Sequence, residues 1–550
     1  MSTITEIADG YLAALAAIDP DAADVVGRPL PSRFGDLSPA GFAARAELDR
    51  RTLTAARAAT ADGTAAHALK AALVDRLESD LALYDAGFTT RLLAPLATPV
   101  HLTRQVFDQF PRETDEDWAV IAEHLHGLGG ALEAYAATLR DAADQGHLVA
   151  RRQVLAVADQ ATAWITTDDF YGRLAAARPG DDRIAEGARQ ASAATGRFAA
   201  FLRLELAPRA GTVDGVGRDM YAVTSRSFLG AQVDLDELYA YGWDQLRSTA
   251  EEMRQVAAQL GHPDTAAAFA ALDADPAWRV ATGPALEQWL GDRVEQVTAA
   301  LDGTHFDIPA ATRQVTCRIS PAASGVMYYT PPDATLTRPG GIWWAVPGGH
   351  PEIPVWSHVG TLYHEGLPGH HLQHAITMTT EQLHPWQRHL CHVHGYAEGW
   401  AHYAERLADE LGLYQGPAER LGMLCGQIWR AARIVIDMGL HLDAPIPAGN
   451  GFTEATRWTP ELAVDFLVQV AGLDRATATF EVDRYLGWPG QALAFKAGAR
   501  LWAQARRDAE TRAGAAFDRR RFHTDALRLG PMGLDPLRAV LTALDPQERP

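Results

Sequence analysis

The chain has 550 residues, 47% of them hydrophobic and 21% charged, with a formal net charge of −20. That composition belongs to a folded globular protein and excludes a disordered one. The acidic balance argues against nucleic-acid or anionic-membrane partners, which need a positive face.

No apolar run reaches the roughly 18 residues that cross a bilayer, and the opening Met1-Ser2-Thr3-Ile4-Thr5-Glu6 has no basic-then-apolar pattern of a secretory signal. A cytoplasmic location is the expectation. Three widely spaced cysteines, Cys317, Cys391 and Cys425, argue against a disulfide framework and a cysteine-ligated metal, and read as small core residues. Lysine occurs only at Lys70 and Lys496.

From residue 4 to about residue 300, apolar residues recur at three-to-four spacing between Pro and Gly clusters, which predicts amphipathic helices in a bundle. The clearest are Ala40–Ala61, Ala65–Tyr84, Glu113–Ala143, Asp182–Leu206 and Leu235–Leu260. Near residue 303 the pattern changes. Gln314–Ile319, Gly325–Tyr329 and Gly341–Val346 are short, β-branched and aromatic, and bounded by Pro and Gly, as expected of one small sheet. The last of these could offer an exposed edge to an extended peptide. Helices resume at Glu381–Leu411, Ala418–His441, Thr459–Val470, Arg475–Leu486 and Gly490–Ala513. The fold class expected is mainly α, with the one small sheet beside a metal-site helix. The expected division is a helical lobe of residues 1–302 and a metal-site lobe of residues 303–550.

Chemistry concentrates in Tyr363-His364-Glu365-Gly366-Leu367-Pro368-Gly369-His370-His371-Leu372-Gln373. Zinc peptidases carry His-Glu-x-x-His on one helix, two imidazoles a turn apart with the glutamate beside the metal-bound water. Here the second histidine comes late. On a regular helix His370 would be rotated by about 240° from His364, and His371 would lie roughly 10 Å further along the axis; neither could share an ion whose bonds are about 2 Å. Pro368 and Gly369 relieve this, because proline breaks the helical ladder and glycine permits tight loops. If residues 366–369 bulge, His364 and His370 can converge; a histidine-rich core turn is the alternative.

A third ligand is sought in His394-Gly395-Tyr396-Ala397-Glu398-Gly399-Trp400-Ala401-His402-Tyr403-Ala404-Glu405. Helical spacing puts His394, Glu398, His402 and Glu405 along one face. That row could bind metal itself, Glu398 could complete a set with His364 and His370, or the row could be a polar face with internal ion pairs. No phosphate loop, dinucleotide fingerprint or nucleophile elbow is present.

These two blocks, together with Arg433-Ile-Val-Ile-Asp437-Met-Gly439-Leu-His441 and Arg484-Tyr485-x-x-Trp488-Pro489-Gly490-Gln491-Ala492 followed by Lys496 and Gly498, resemble the bacterial domain-of-unknown-function 885 family. That family is similar in fold to the carboxypeptidase Taq group of helical zinc peptidases, which implies a central cleft and makes residues 1–302 and 303–550 two halves of one family domain. The resemblance implies one zinc per chain on His364, His370 and Glu398, with Glu365 as the base. It also implies Tyr485 and Arg484 facing the reacting carbonyl of a peptide or small amide. Tyr329 is a second phenol that could stabilise the oxyanion; Arg484 could bind a substrate carboxylate bidentately, or could instead be an ion-pair partner of Glu481 or Asp483. Tyr329, Trp344 and Gln491 are the candidate substrate contacts, Trp344 having a core role as its alternative. Gln373 and Asp437 are the candidates to orient ligating histidines. His371, His374 and His402 have no role that the resemblance supports. The sequence departs from the peptidase group in the interrupted His-Glu-x-x-His and in Phe495, where a tyrosine is expected.

Overall fold

Helices form most of the computed structural model, which describes residues 2–28, 34–320, 327–333, 335–346 and 350–543. The expected helices of the first half are present as Pro39–Ala58, Thr64–Asp85, Asp115–Asp144, Asp182–Phe201 and Leu235–Gln259, the fourth continuing in a π-helical turn, Leu202–Leu206. Prolines in the first turns of several helices, among them Pro39, Pro284, Pro417 and Pro460, explain why proline marks the boundaries. Its missing N–H is lost where no helical partner exists.

Two expected boundaries differ. Glu381–Leu411 is not one helix but Pro385–His389 followed by His394–Glu410, because Pro385 starts a new helix whose first turn is capped by His384 Nδ1 accepting from Trp386 N–H (3.1 Å). The last long helix begins at Ala494 rather than Gly490. Gly490 has φ +82°, and its N–H is given to the Asp437 carboxylate (2.9 Å).

Five short strands are present: β1 (Arg279–Ala281), β2 (Val315–Ile319), β3 (Met327–Thr330), β4 (Gly340–Trp344) and β5 (Glu352–Pro354). The expected sheet is β2-β4-β3, with β2 parallel and β3 antiparallel to β4; residues 325–326 of its middle segment lie outside the described residues. The expected free edge on Gly341–Val346 is corrected, since β4 is the central strand and both its sides are paired. A second pair, β1 with β5, was not legible in the sequence. Each strand is three residues long, and the partners lie some 70 positions apart.

One apolar cluster combines Ile4, Leu73 and Leu301 with Ile342, Leu362, Trp400, Trp502 and Leu541, and so takes residues from both sides of position 302. Another unites Trp243 and Leu246 with Val435, Leu467 and Leu486. A third has its buried members within residues 93–207, with Phe34, Leu37 and Phe42 packed against it. Cys317 and Cys391 are buried and unpaired, as is the half-buried Cys425. No helix among the described residues is long and apolar enough to cross a membrane.

Candidate metal centre

The first histidine ends a short helix, Val359–Glu365, whose Val359, Leu362 and Tyr363 are buried. Residues 366–369 then leave helical geometry and a second helix, His370–Thr379, begins. The Gly369 N–H donates to the Tyr363 carbonyl (3.0 Å) and the His371 N–H to the Gly366 carbonyl (3.0 Å), folding the loop back onto the helix it left. The approach is so close that a Cβ on Gly369 would stand 2.0 Å from the His364 carbonyl oxygen; only glycine fits. The Leu367–Pro368 peptide is cis.

The second motif supplies both a candidate ligand and the clamp. Trp400, wholly buried, donates its indole N–H to the carbonyls of Pro368 (3.0 Å) and Gly369 (3.2 Å). Its neighbour Gly399 lets the helix Ala494–Ala513 pass close enough that a Cβ there would lie 2.7 Å from Gly498. Glu398 is thereby held against the loop from the opposite side.

The result is convergence. His364 Nε2 lies 3.2 Å and His370 Nε2 3.5 Å from the same Glu398 oxygen, Oε2, and one donor atom from each of the three lies within 4.8 Å of the others. Tetrahedral zinc with bonds of about 2.05 Å would separate its ligand atoms by about 3.3 Å, so the two measured edges fit such an ion. The donor chemistry, two imidazoles and a carboxylate, also suits zinc. His364 is nearly inaccessible (4%), whereas His370 (12%) and Glu398 (24%) retain access on one side. His371, the alternative ligand, is turned away. Its Nε2 faces the Thr312 carbonyl at 2.7 Å and its Nδ1 the Tyr329 hydroxyl at 2.9 Å.

A second group, His364, His402 and Glu405, shares the first histidine. Here the atoms are already hydrogen-bonded: Glu405 Oε1 accepts from His364 Nδ1 (2.9 Å) and lies 3.1 Å from His402 Nδ1, while Oε2 accepts from Gln427 Nε2 (2.9 Å). Lys496 Nζ donates in turn to Gln427 Oε1 (2.7 Å). All are buried. Glu405 thus stands where a carboxylate orienting a metal-ligating imidazole would stand if His364 is a ligand, the place for which Gln373 and Asp437 were the candidates. Its spacing was a usable signal, because Glu405 follows Glu398 by seven residues, two helical turns on the same face.

Electrostatics follow from this packing. Burial by itself lowers the His364 pKa, but hydrogen bonds to Glu398 and Glu405 overcome it and push it up to about 10. Glu398 is opposed by burial yet held well below the usual carboxylate range by His364 and His370. The pocket thus favours positive charge between its donors. Glu365, half-buried beside them, is raised by burial, with His364 and His370 acting the other way.

The remaining candidates are placed less directly. Tyr485 is buried; its hydroxyl donates to Glu481 Oε2 (2.7 Å) and accepts from Arg433 Nε (3.1 Å). Arg484 donates to the same Glu481 oxygen (2.8 Å), the pairing weighed as its alternative. The Thr312 carbonyl can only accept, so His371 carries its proton on Nε2, and the Tyr329 hydroxyl must donate to Nδ1. Both phenols therefore spend their protons elsewhere. Trp344, expected as a substrate contact, is instead a core side chain, 2% exposed and packed on His358. Gln491 is half-buried with an unpartnered Oε1. Gln373 donates to Thr377 Oγ1 (3.4 Å), and Asp437 accepts from Tyr221 and Gly490. Among the described residues neither bonds to His364 or His370.

Fold and site together define a mainly helical protein in which a looped-out His-Glu segment and a glutamate from a neighbouring helix form a candidate metal centre. The chain belongs to the family described as "Bacterial protein of unknown function (DUF885)", which matches residues 20–541. Among solved structures it is similar to one described as "the putative lipoprotein from Colwellia psychrerythraea", with a TM-score of 0.81 and 19% identity over 98% of this chain and 99% of that one. A second, "a putative lipoprotein of unknown function from Shewanella oneidensis", gives a TM-score of 0.69 and 15% identity over 98% and 100% of the two chains. These likenesses are of fold. No curated protein matches.

Proposed function

We propose that the protein is a zinc-dependent hydrolase of peptide or small amide bonds, a carboxypeptidase-like metallopeptidase of the kind the sequence resemblance implies. The observation that carries the reading is the 3.2 and 3.5 Å approach of His364 and His370 to one Glu398 oxygen, with the Glu365 carboxylate alongside and not among the three. When bound, zinc would lower the pKa of a bound water to about 7 and polarise the carbonyl. Glu365 would take the proton of the attacking water as the C–O bond forms. It would return that proton to the nitrogen as the C–N bond breaks, leaving a carboxylic acid and an amine. Burial, which raises Glu365, brings its proton affinity closer to that of a base working near neutral pH. Glu405 would hold the His364 ring in the orientation that presents Nε2.

The engagement of both Tyr329 and Tyr485 supports a second reading, a metal- or peptide-binding protein without turnover. Glu365→Gln separates the two. Purified protein is expected to carry about one zinc per chain and to cleave members of a blocked-peptide library. The variant should retain the metal and lose turnover. Folded wild type that takes up no zinc would overturn the hydrolase and the metal-binding reading alike; zinc without cleavage would leave a binding role.

A further inference from the structure

Lys496 is one of two lysines in the chain and is buried, 5% exposed, in the helix Ala494–Ala513. Burial pulls its pKa down to about 7, and a lysine so placed is ordinarily paired with a carboxylate. This one is not. Among the described residues it makes no ion pair, and its one hydrogen bond runs from Nζ to the side-chain oxygen Oε1 of Gln427 (2.7 Å). The Gln427 amide is also buried and gives Nε2 to Glu405 Oε2 (2.9 Å), while Glu405 Oε1 accepts from His364 Nδ1 (2.9 Å). Three hydrogen bonds therefore join Lys496 to the first histidine of the candidate metal centre. They cross four helices, Ala494–Ala513, Pro417–Leu442, His394–Glu410 and Val359–Glu365.

The direction of this chain of bonds is set at the lysine. A glutamine amide can present its oxygen or its nitrogen to a given neighbour by a half-turn of its last torsion. A carboxylate only accepts and an ammonium only donates, so Oε1 must face Lys496 and Nε2 must face Glu405. The half-turned amide would set oxygen against oxygen at one end and nitrogen against nitrogen at the other. Gln427 then occupies Glu405 Oε2 and leaves Oε1 to His364 and to His402 Nδ1 (3.1 Å). With the His364 Nδ1–H given to Glu405, the lone pair of the neutral ring lies on Nε2, the nitrogen that stands 3.2 Å from Glu398 Oε2.

We propose that Lys496 is a positioning residue for zinc: acting through Gln427 and Glu405, it fixes the His364 imidazole with Nε2 presented to the ion. The proposal rests on the metal-binding part of the reading above and is independent of turnover. It also has a sign. A lysine that merely neutralised Glu405 would repel a nearby dication, and its removal would tighten zinc binding. A lysine that aligns the ligand strengthens binding, and its removal weakens it.

The test measures zinc affinity of the full chain, by competition with a chromophoric chelator, for wild type, Lys496→Met, Glu405→Gln and the double variant. Methionine fills similar apolar space and has no N–H to give. Lys496→Met should weaken zinc binding by about 5-fold or more. In the Glu405→Gln background the same change should cost less than about twofold, because two members of one hydrogen-bond chain are not additive. Cobalt-loaded Lys496→Met should show altered d–d absorption, which reports ligand geometry and which a loss of fold stability alone does not move. Unchanged or tighter zinc binding by folded Lys496→Met, an equal loss in both Glu405 backgrounds, or an unaltered cobalt spectrum would overturn the proposal. If Lys496→Met does not fold, Gln427→Met breaks the chain one link further on and carries the same expectations against Glu405→Gln. The parent readings fail separately: folded wild type without zinc removes the centre and this role with it, whereas zinc without cleavage removes the hydrolase and leaves Lys496 its role.

Discussion

Replacing Gly369 by alanine is the most direct challenge to the way this centre is built. The added Cβ would lie 2.0 Å from the His364 carbonyl oxygen and 2.5 Å from that of Tyr363. Both are backbone atoms in a helix packed on the core, so the loop must move outward by about 1 Å or more to reach ordinary contact. That movement lengthens the Gly369 N–H to Tyr363 bond and the two contacts from Trp400, and it carries His370 away from Glu398. Overpacking of this kind costs about 1–3 kcal/mol. Zinc bonds tolerate roughly 0.2 Å, so metal affinity should fall by more than 10-fold. Chemical denaturation of the metal-free chain reads the first effect, and competition against a chromophoric chelator reads the second. Gly130→Ala is the control, because that glycine is inside the helix Asp115–Asp144 with nothing within 4 Å of a new Cβ; it should be neutral or stabilising by up to about 1 kcal/mol. If Gly369→Ala kept zinc affinity within twofold and denatured at the wild-type midpoint, the loop would not be what brings the histidines together.

Other outcomes follow from the same contacts. Glu405→Gln replaces an acceptor shared by two histidines, and zinc affinity should drop about 10- to 100-fold with little change in overall helicity; an unchanged chelator titration would remove Glu405 from the site. Gly498→Ala sets a Cβ 2.7 Å from the Gly395 carbonyl oxygen, and a loss of about 1–3 kcal/mol is expected in urea unfolding, absent only if the two helices can separate freely. Asp437 gives a pH dependence. Burial pushes its pKa up to about 7, so between the ordinary aspartate value near 4 and pH 7 the folded state binds more protons than the unfolded one. Its contribution to stability is therefore present at low pH and is lost as pH rises through that window. Asp437→Asn should flatten the fall measured between pH 4.5 and 7.5, by roughly 1.4 kcal/mol per unit of pKa difference; an unaltered slope would place the titration elsewhere.

Local pattern settled a great deal of this protein. Three-to-four spacing and proline at helix starts gave the helices, and β-branched runs gave the three-stranded sheet, because both signals are written within one element. The convergence of His364 and His370 could be anticipated for the same reason. Helix geometry excludes a regular path between them, and Pro368 with Gly369 supplies an irregular one.

What no single segment records is which elements meet. Glu398 rather than a row with His394 faces the histidines because Gly399 and Gly498 let two helices close together, and Trp400 fixes the loop from outside it. Hydrogen bonds then decided between the candidates: Tyr485 and Arg484 went to Glu481, Asp437 to Tyr221 and Gly490, while Glu405 took the place beside His364. The lack of a hydrogen-bond partner, as at Gln491 Oε1 among the described residues, is visible only once the neighbours have been placed. Sequence names the groups able to carry charge, but which are neutralised depends on contacts between residues far apart in the chain, and those are fixed by tertiary packing.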